Sequence, residues 1–236
     1  MKVAVLMSGG IDSTVSALLL REQGYEVTGL TMVHLEREAG EKAALIANEL
    51  QIEHKVVELR EAFQSAVVDY FCMEYEQGHT PNPCVKCNEE IKFGLLLNAA
   101  LDLGADKVAS GHYARIDYDD KNHCYRLIKG VDPRKDQSYF LYRLKQPQLS
   151  RLIFPLGGYR KEEVREIARR YHLQLAEEKE SQEICFIPGD YREFIRPHVS
   201  YKEGSFLDRT GKVLGRHRGI PFYTIGQRRG LAVSAG

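Results

Sequence analysis

Lys2–Met7 reads KVAVLM, an apolar run of strand length that passes at once into Ser8-Gly9-Gly10 and a helical pattern carrying Val15, Leu18 and Leu19. Strand, tight glycine turn and helix, in that order, commit the chain to a βα beginning. The alternation continues. Glu26–Val33 and Lys55–Leu59 read as strands around a helix at Ala43–Leu50, Glu61–Tyr75 reads as a helix, and Asn88–Leu101 as another with Ile91, Leu95, Leu96 and Ala99 at helical spacing. Lys107–Ser110 returns to strand. Such alternation predicts an α/β fold with a doubly wound, Rossmann-like parallel sheet covered on both faces.

Beyond Arg115 the character changes. Tyr118–His123 is a polar turn, Cys124–Ile128 a strand, and Gln137–Leu144 a helix, all expected at the periphery of the sheet. Pro155, Gly157 and Gly158 punctuate the chain before an amphipathic helix at Lys161–Tyr171. The expected division is therefore a first domain over 1–155 and a smaller second domain over 156–236. No apolar run approaches a membrane span, and Met1-Lys2 leads straight into the first strand without a cleavage site, so a soluble, cytoplasmic protein without membrane contact is expected. Lys+Arg and Asp+Glu are 33 each, which excludes nucleic-acid binding through a globally basic surface and leaves local patches. Arg160-Lys161, Arg216-His217-Arg218 and Arg228-Arg229 are such patches.

Ser8-Gly9-Gly10-Ile11-Asp12-Ser13-Thr14 lies where backbone N–H groups and a helix N-terminus converge, a place that suits an anion. The glycines let the backbone approach a phosphate, and the hydroxyls of Ser8, Ser13 and Thr14 can donate to it. Asp12 could hold Mg²⁺ bridging phosphates, and as a loop carboxylate it is expected to add little to the core. The bland reading is a turn with an N-cap. The loop lacks the lysine and spacing of a Walker loop and the third glycine of a dinucleotide fingerprint. It resembles the SGGxDS loop of the N-type ATP pyrophosphatases, which adenylate a substrate oxygen and release pyrophosphate.

Five cysteines, an odd number without a secretory signal, favour metal, redox or sulfur chemistry over a disulfide scaffold. Cys84 and Cys87 form a CxxC just before a helix expected to start near Asn88, where a thiol tends to be acidic. Cys185 lies far along the chain in Ser181–Pro188, SQEICFIP. Cys72 and Cys124 read as buried, inert thiols.

MSGGxDS, Thr80–Phe93 (TPNPCVKCNEEIKF), Ser110–Arg115 (SGHYAR), Asp136–Leu141 (DQSYFL), SQEICFIP and Thr224–Leu231 (TIGQRRGL) follow one another in this order. Together they resemble the tRNA-specific 2-thiouridylase family over essentially the entire chain. The resemblance implies ATP-dependent replacement of O2 of the wobble uridine (U34) by sulfur, with the anticodon stem-loop of tRNA as partner and the uridine extruded from its stack. It implies nucleotide binding at Ser8, Gly9, Gly10, Asp12, Ser13, Thr14, Met32 and Gly111, and substrate contacts at Asp136, Gln137, Arg228 and Arg229. In the family, the cysteine matching Cys185 accepts a persulfide and the one matching Cys87 attacks or resolves it.

The sequence departs from the family in two places. Cys84 stands where the family usually has an aspartate serving as acid and base, so three cysteines point at one site. Related RNA thiolases hold a [4Fe-4S] cluster by three cysteines and leave one iron open for sulfide. The sulfur source is then either a persulfide carrier or inorganic sulfide, with a Cys84/Cys87/Cys185 cluster or without one. The second departure is length: the family usually continues past GQRRGL into a C-terminal β-barrel that helps grip tRNA, so either that barrel lies outside this sequence or tRNA binding is expected to rely on the first two domains. Asp136 could equally be only an N-cap, and His112 a hydrogen-bonded loop histidine. Tyr113 and Phe186 are candidate stacking groups for a base. Two other functions compete: an amide-forming ligase of the same superfamily, and an RNA-binding module in which the CxxC is structural.

Overall fold

The computed structural model describes residues 1–34, 38–177, 184–187, 189–231 and 233. The contacts divide the chain into two compact units, Met1–Phe63 with Cys84–Ser181, and Gln64–Pro83 with Gln182–Gly236.

The first unit carries a sheet of five parallel strands in the order β3-β2-β1-β4-β7. These are β1 (Lys2–Leu6), β2 (Glu26–Val33), β3 (Glu53–Glu58), β4 (Lys107–Ala109) and β7 (Leu152–Ile153), with α1 (Ile11–Glu22) between β1 and β2 and α2 (Glu38–Glu49) between β2 and β3. Register runs Val3↔Val27 and Ala4↔Val108, so β1 is central and pairs on both sides. Alternation along β1 builds two apolar layers. Val3, Val5 and Met7 face α1, α2 and the Lys161–Arg170 helix through Val15, Leu18, Ala47, Val164 and Ala168. Ala4 and Leu6 face the opposite layer with Phe93, Leu96, Leu97 and Ala100. The chain winds outward from β1 to β3, then returns to the other side of β1 at β4. The crevice beyond the carboxyl ends of β1 and β4 is therefore the topological switch point, where ligands of such sheets bind.

Two expectations change here. The sheet does not end near residue 110: after an antiparallel hairpin, β5 (Ala114–Asp119) with β6 (Cys124–Lys129), the short strand β7 rejoins it beside β4. Gln137–Leu144 is not a helix; only the 3-10 turn Ser138–Leu141 forms.

The division also runs elsewhere than at 155/156. Lys161–Arg170 belongs with the sheet because Val164 and Ala168 are fully buried in its core. Gln64–Pro83 belongs with the C-terminal residues because its aromatic rings pack there: Phe71 lies 5.5 Å from Phe186 and Tyr75 stacks on Tyr191 at 4.6 Å. This second unit also holds the helix Tyr191–Ile195 and an antiparallel hairpin, β8 (Gly204–Leu207) with β9 (Val213–His217). No helix among the described residues is long and apolar enough to cross a membrane.

Candidate functional site

The glycine loop sits at the switch point between β1 and α1. Gly9 takes φ +77°, a left-handed conformation that favours glycine, and lets the chain turn into α1. Behind the turn, Ser13 Oγ and Thr14 Oγ1 donate to the Gly10 carbonyl at 3.0 and 2.9 Å, and the Ser8 N–H donates to Ser13 Oγ at 3.3 Å. Thr14 is fully buried and Ser13 nearly so, so in this form their hydroxyls brace the helix start; Ser8 is exposed.

Asp12 is the best-connected residue of the loop. Its Oδ1 accepts from the Tyr113 hydroxyl at 2.7 Å, and the Lys161 ammonium donates to Oδ1 and Oδ2 at 2.7 and 2.8 Å. Lys161 is only 5% exposed and also stands over the Tyr113 ring, 5.7 Å from its centroid. Its backbone N–H is anchored on Asp132 Oδ2 at 3.1 Å. Asp132, itself buried, is held below the usual carboxylate range by that hydrogen bond and by one from the Arg134 N–H. The sequence places Lys161 in a surface patch with Arg160. Its burial overturns that reading and makes it a cation directed at the phosphate loop.

Gly111 explains how the loop after β4 closes on this site. A Cβ there would lie 2.8 Å from the Asp12 carbonyl carbon and 3.0 Å from the Ser13 nitrogen, so only glycine allows the approach. The neighbouring His112 accepts from or donates to Ser110 Oγ at 2.8 Å and lies between the rings of Phe93 and Phe154, at 5.6 and 5.9 Å. Desolvation, and secondarily the charge of Lys92, push its pKa down to about 3, so it is neutral near pH 7. Tyr113, with its ring buried and its hydroxyl on Asp12, is not available as a stacking platform. Gln137 supports it: Gln137 Oε1 accepts from the Tyr113 N–H at 3.0 Å. Asp136 accepts from the N–H groups of Gly130 and Ser138 and from Ser138 Oγ, so its side chain is engaged with its own loop while that of Gln137 reaches the loop after β4. Met32, half-buried, lies near the carboxyl end of β2.

The CxxC sits at the start of a helix that begins earlier than Asn88. Pro83–Lys86 forms the first turn, with proline at its first position, and Cys87–Leu95 continues as a π-helix. Cys87 is buried and Cys84 half-buried. The expectation of an acidic Cys84 thiol fails in this form: desolvation pushes it above its ordinary value, while the charge of Lys92 opposes the shift. The same Lys92 charge acts on His34, whose pKa is lowered chiefly by burial. Lys92 therefore stands near Cys84, His34 and His112, a cation that the sequence showed only as part of IKF.

In the second unit, Ile184–Ile187 is a turn closed by the Ile187 N–H donating to the Ile184 carbonyl at 2.9 Å. Buried Phe186 and Ile187 anchor it and leave Cys185 exposed. Phe186 is thus a core ring, not a stacking group. Cys72 is buried, its pKa pushed up to about 11 mainly by desolvation, as an inert thiol should be. Cys124 is half-buried at the hairpin end, more open than expected. Arg228 and Arg229 are exposed beyond a turn in which Gln227 Nε2 donates to the Arg229 carbonyl at 2.8 Å. Among the described residues, no three His, Cys, Asp or Glu side chains form a group that could hold a metal.

Residues 1–189 match the family model described as tRNA methyl transferase HUP domain, and residues 192–236 match that of the tRNA methyl transferase PRC-barrel domain. The chain is 95% identical over 236 residues to the tRNA-specific 2-thiouridylase MnmA of Syntrophomonas wolfei subsp. wolfei, covering all of this chain and 70% of that protein. It is 50% identical over 253 residues to the tRNA-specific 2-thiouridylase MnmA of Carboxydothermus hydrogenoformans, covering 69% of that protein. Among solved structures, a 4-thiouridine synthetase in complex with RNA and bound ATP aligns with TM-score 0.50 at 18% identity, over 78% of this chain and 44% of that one, a likeness of fold.

Proposed function

Because the chain belongs to the tRNA-specific 2-thiouridylase family, we propose that it catalyses ATP-dependent 2-thiolation of the wobble uridine (U34) of tRNA. The observation that carries the reading is the continuity of two half-sites within one unit. Gly111 lies against Asp12 of the phosphate loop, and the next residue, His112, lies 5.6 Å from Phe93 of the helix that begins with Cys84 and Cys87.

Oxide is too poor a leaving group for direct exchange of oxygen by sulfur. In the proposed reaction uridine O2 attacks the α-phosphorus of ATP, pyrophosphate leaves, and O2 becomes part of an AMP leaving group. The backbone of the glycine turn and the α1 N-terminus receive phosphate oxygens. Lys161, paired with Asp12 and held by Tyr113 and Asp132, fixes the start of α1 beneath the loop. Met32 and Gly111 line the nucleotide, and Asp136 and Gln137 shape the loop that would receive the extruded base. Arg228 and Arg229 contact tRNA phosphates.

The terminal sulfur of a persulfide on Cys185, loaded by a persulfide carrier, then attacks C2 and expels AMP. Cys87 attacks the Cys185 sulfur, which releases 2-thiouridine and leaves a Cys87–Cys185 disulfide for an external thiol to reduce. Cys84, beside Lys92 and in the position of the family's aspartate, serves as proton relay. Its raised pKa suits a group that holds its proton until a base or charge draws it away.

Two expected groups do not fit the residues described. Both Asp12 carboxylate oxygens are already engaged by Lys161, so Asp12 does not offer a vacant ligand for Mg²⁺. For a [4Fe-4S] cluster the ligand must be a thiolate, and burial favours the protonated form of Cys84. No step is routed through either group.

Pyrophosphate release tests the reading against its competitors. A thiouridylase should release pyrophosphate from ATP only when tRNA is added. Release with a small-molecule acid and ammonia in place of tRNA would point to the amide ligase, and tRNA binding without any release would leave an RNA-binding module.

A further inference from the structure

The π-helix Cys87–Leu95 is an unusual length of i→i+5 structure, a form that occurs mostly as single-turn bulges. Its wider winding shows at its C-terminal end, where the Leu96 N–H donates to the Ile91 carbonyl five residues back. One side chain from outside holds two of its carbonyls at once. Gln148 Nε2 donates to the Glu89 carbonyl at 3.2 Å and to the Phe93 carbonyl at 2.8 Å, while Gln148 Oε1 accepts the Lys145 N–H at 2.9 Å. Both amide hydrogens are thus spent on the π-helix, and the oxygen on the start of Gln146–Leu149. Gly94 makes room for the same arrangement, because a Cβ there would lie 3.1 Å from the Glu89 carbonyl oxygen. Asn88, which is buried, ties the helix to the 3-10 turn Ser138–Leu141 by donating to the Phe140 carbonyl at 3.1 Å.

We infer that Gln148 is a positioning residue for sulfur transfer, a clamp that keeps this helix in its π register and so fixes where Cys84 and Cys87 point. The physical reason is rotation. At 3.6 residues per turn, a slip of one residue turns everything N-terminal to it by about 100°. That would carry Cys87 from a buried position to a different face. The inference rests on the reading of Cys87 as a sulfur-transfer cysteine, but the register itself can be read without catalysis.

Two substitutions separate the two jobs of Gln148. Gln148→Glu keeps an acceptor for the Lys145 N–H and sets a carboxylate against two carbonyls; Gln148→Lys keeps donors for the carbonyls and loses the acceptor. Site-resolved alkylation of the nucleotide-free chain, read by mass spectrometry, gives the ratio of Cys84 to Cys87 modification. This ratio should change roughly tenfold in Gln148→Glu, the scale expected when buried carbonyls lose their donor, and stay near the native value in Gln148→Lys. Gly94→Ala should shift it in the same sense and serves if Gln148→Glu does not fold. Formation of 2-thiouridine should fall as the ratio departs from its native value, while tRNA-dependent pyrophosphate release is retained. An unchanged ratio in folded Gln148→Glu and Gly94→Ala, or equal damage from Gln148→Lys, would overturn the inference. Failure of the native chain to make 2-thiouridine would instead sink the functional reading, and the alkylation ratio would still report on the register.

Discussion

Replacing Asp12 by alanine should unfold the chain more easily as well as silence it. The sequence presents Asp12 as a loop carboxylate of no consequence to the core, yet its oxygens are the acceptors, at 2.7 and 2.8 Å, for a Lys161 ammonium whose side chain is 6% exposed. Removing one partner of a buried pair costs roughly 3–5 kcal/mol, because the other charge is left uncompensated. The Asp12 side chain is 33% exposed, so water reaches this pair and the expected loss falls to about 2–3 kcal/mol. At about 2–4 °C per kcal/mol for a unit of this size, the Tm should drop by roughly 4–12 °C. Thermal unfolding followed by circular dichroism reads this directly. The decisive comparison adds Lys161→Met to Asp12→Ala: with the stranded ammonium gone, much of the lost stability should return, a coupling of roughly 2 kcal/mol in the double-mutant cycle. If Asp12→Ala melts within about 1 °C of the native chain, or if the two losses simply add, the account of this pair is wrong.

Gly111→Ala should weaken ATP-dependent pyrophosphate release at least tenfold and cost about 1–3 kcal/mol of stability, since its methyl group would meet the Asp12 backbone at 2.8 Å; native activity from a folded variant would contradict the close approach. The His112 pKa near 3 makes stability fall with acid: the unfolded chain takes up a proton as pH drops through 6.5, while the folded state refuses it down to about pH 3. Urea unfolding at pH 7 and pH 5 should show His112→Gln losing about 1–2 kcal/mol less than the native chain over that interval, and equal acid losses would refute the buried neutral ring. Cys87→Ser and Cys185→Ser should each eliminate 2-thiouridine, measured by mass spectrometry of digested tRNA, whereas Cys72→Ser and Cys124→Ser should not.

What the sequence disclosed and what it concealed divide along a physical line. The βα alternation and the place of Ser8–Thr14 at the end of β1 were legible because both depend on local patterns: an apolar run, two glycines and a helical period. Strand β7 was not, since two residues, Leu152 and Ile153, carry no period at all and join the sheet only because β4 offers them an edge. Lys161 escaped for a related reason. A lysine opening an amphipathic helix reads as solvent-facing, and only the tertiary approach of Asp12 and Tyr113 gives a buried ammonium its partners. Cys84 shows the reverse error: a helix start promised an acidic thiol, but burial outweighed the helix end and the neighbouring Lys92. The π register of Cys87–Leu95 had no signature in the sequence beyond Gly94, because its clamp, Gln148, lies more than fifty residues further along.

The central claim is that uridine O2 is activated by adenylation and leaves as part of AMP. An anticodon stem-loop RNA carrying ¹⁸O at O2 of its wobble uridine, incubated with ATP, a persulfide donor and a reducing thiol, tests it in one mass spectrum. The account predicts 2-thiouridine in the RNA and one ¹⁸O in the AMP released with it. Thiolated RNA accompanied by unlabelled AMP, or by ADP and phosphate, would contradict it.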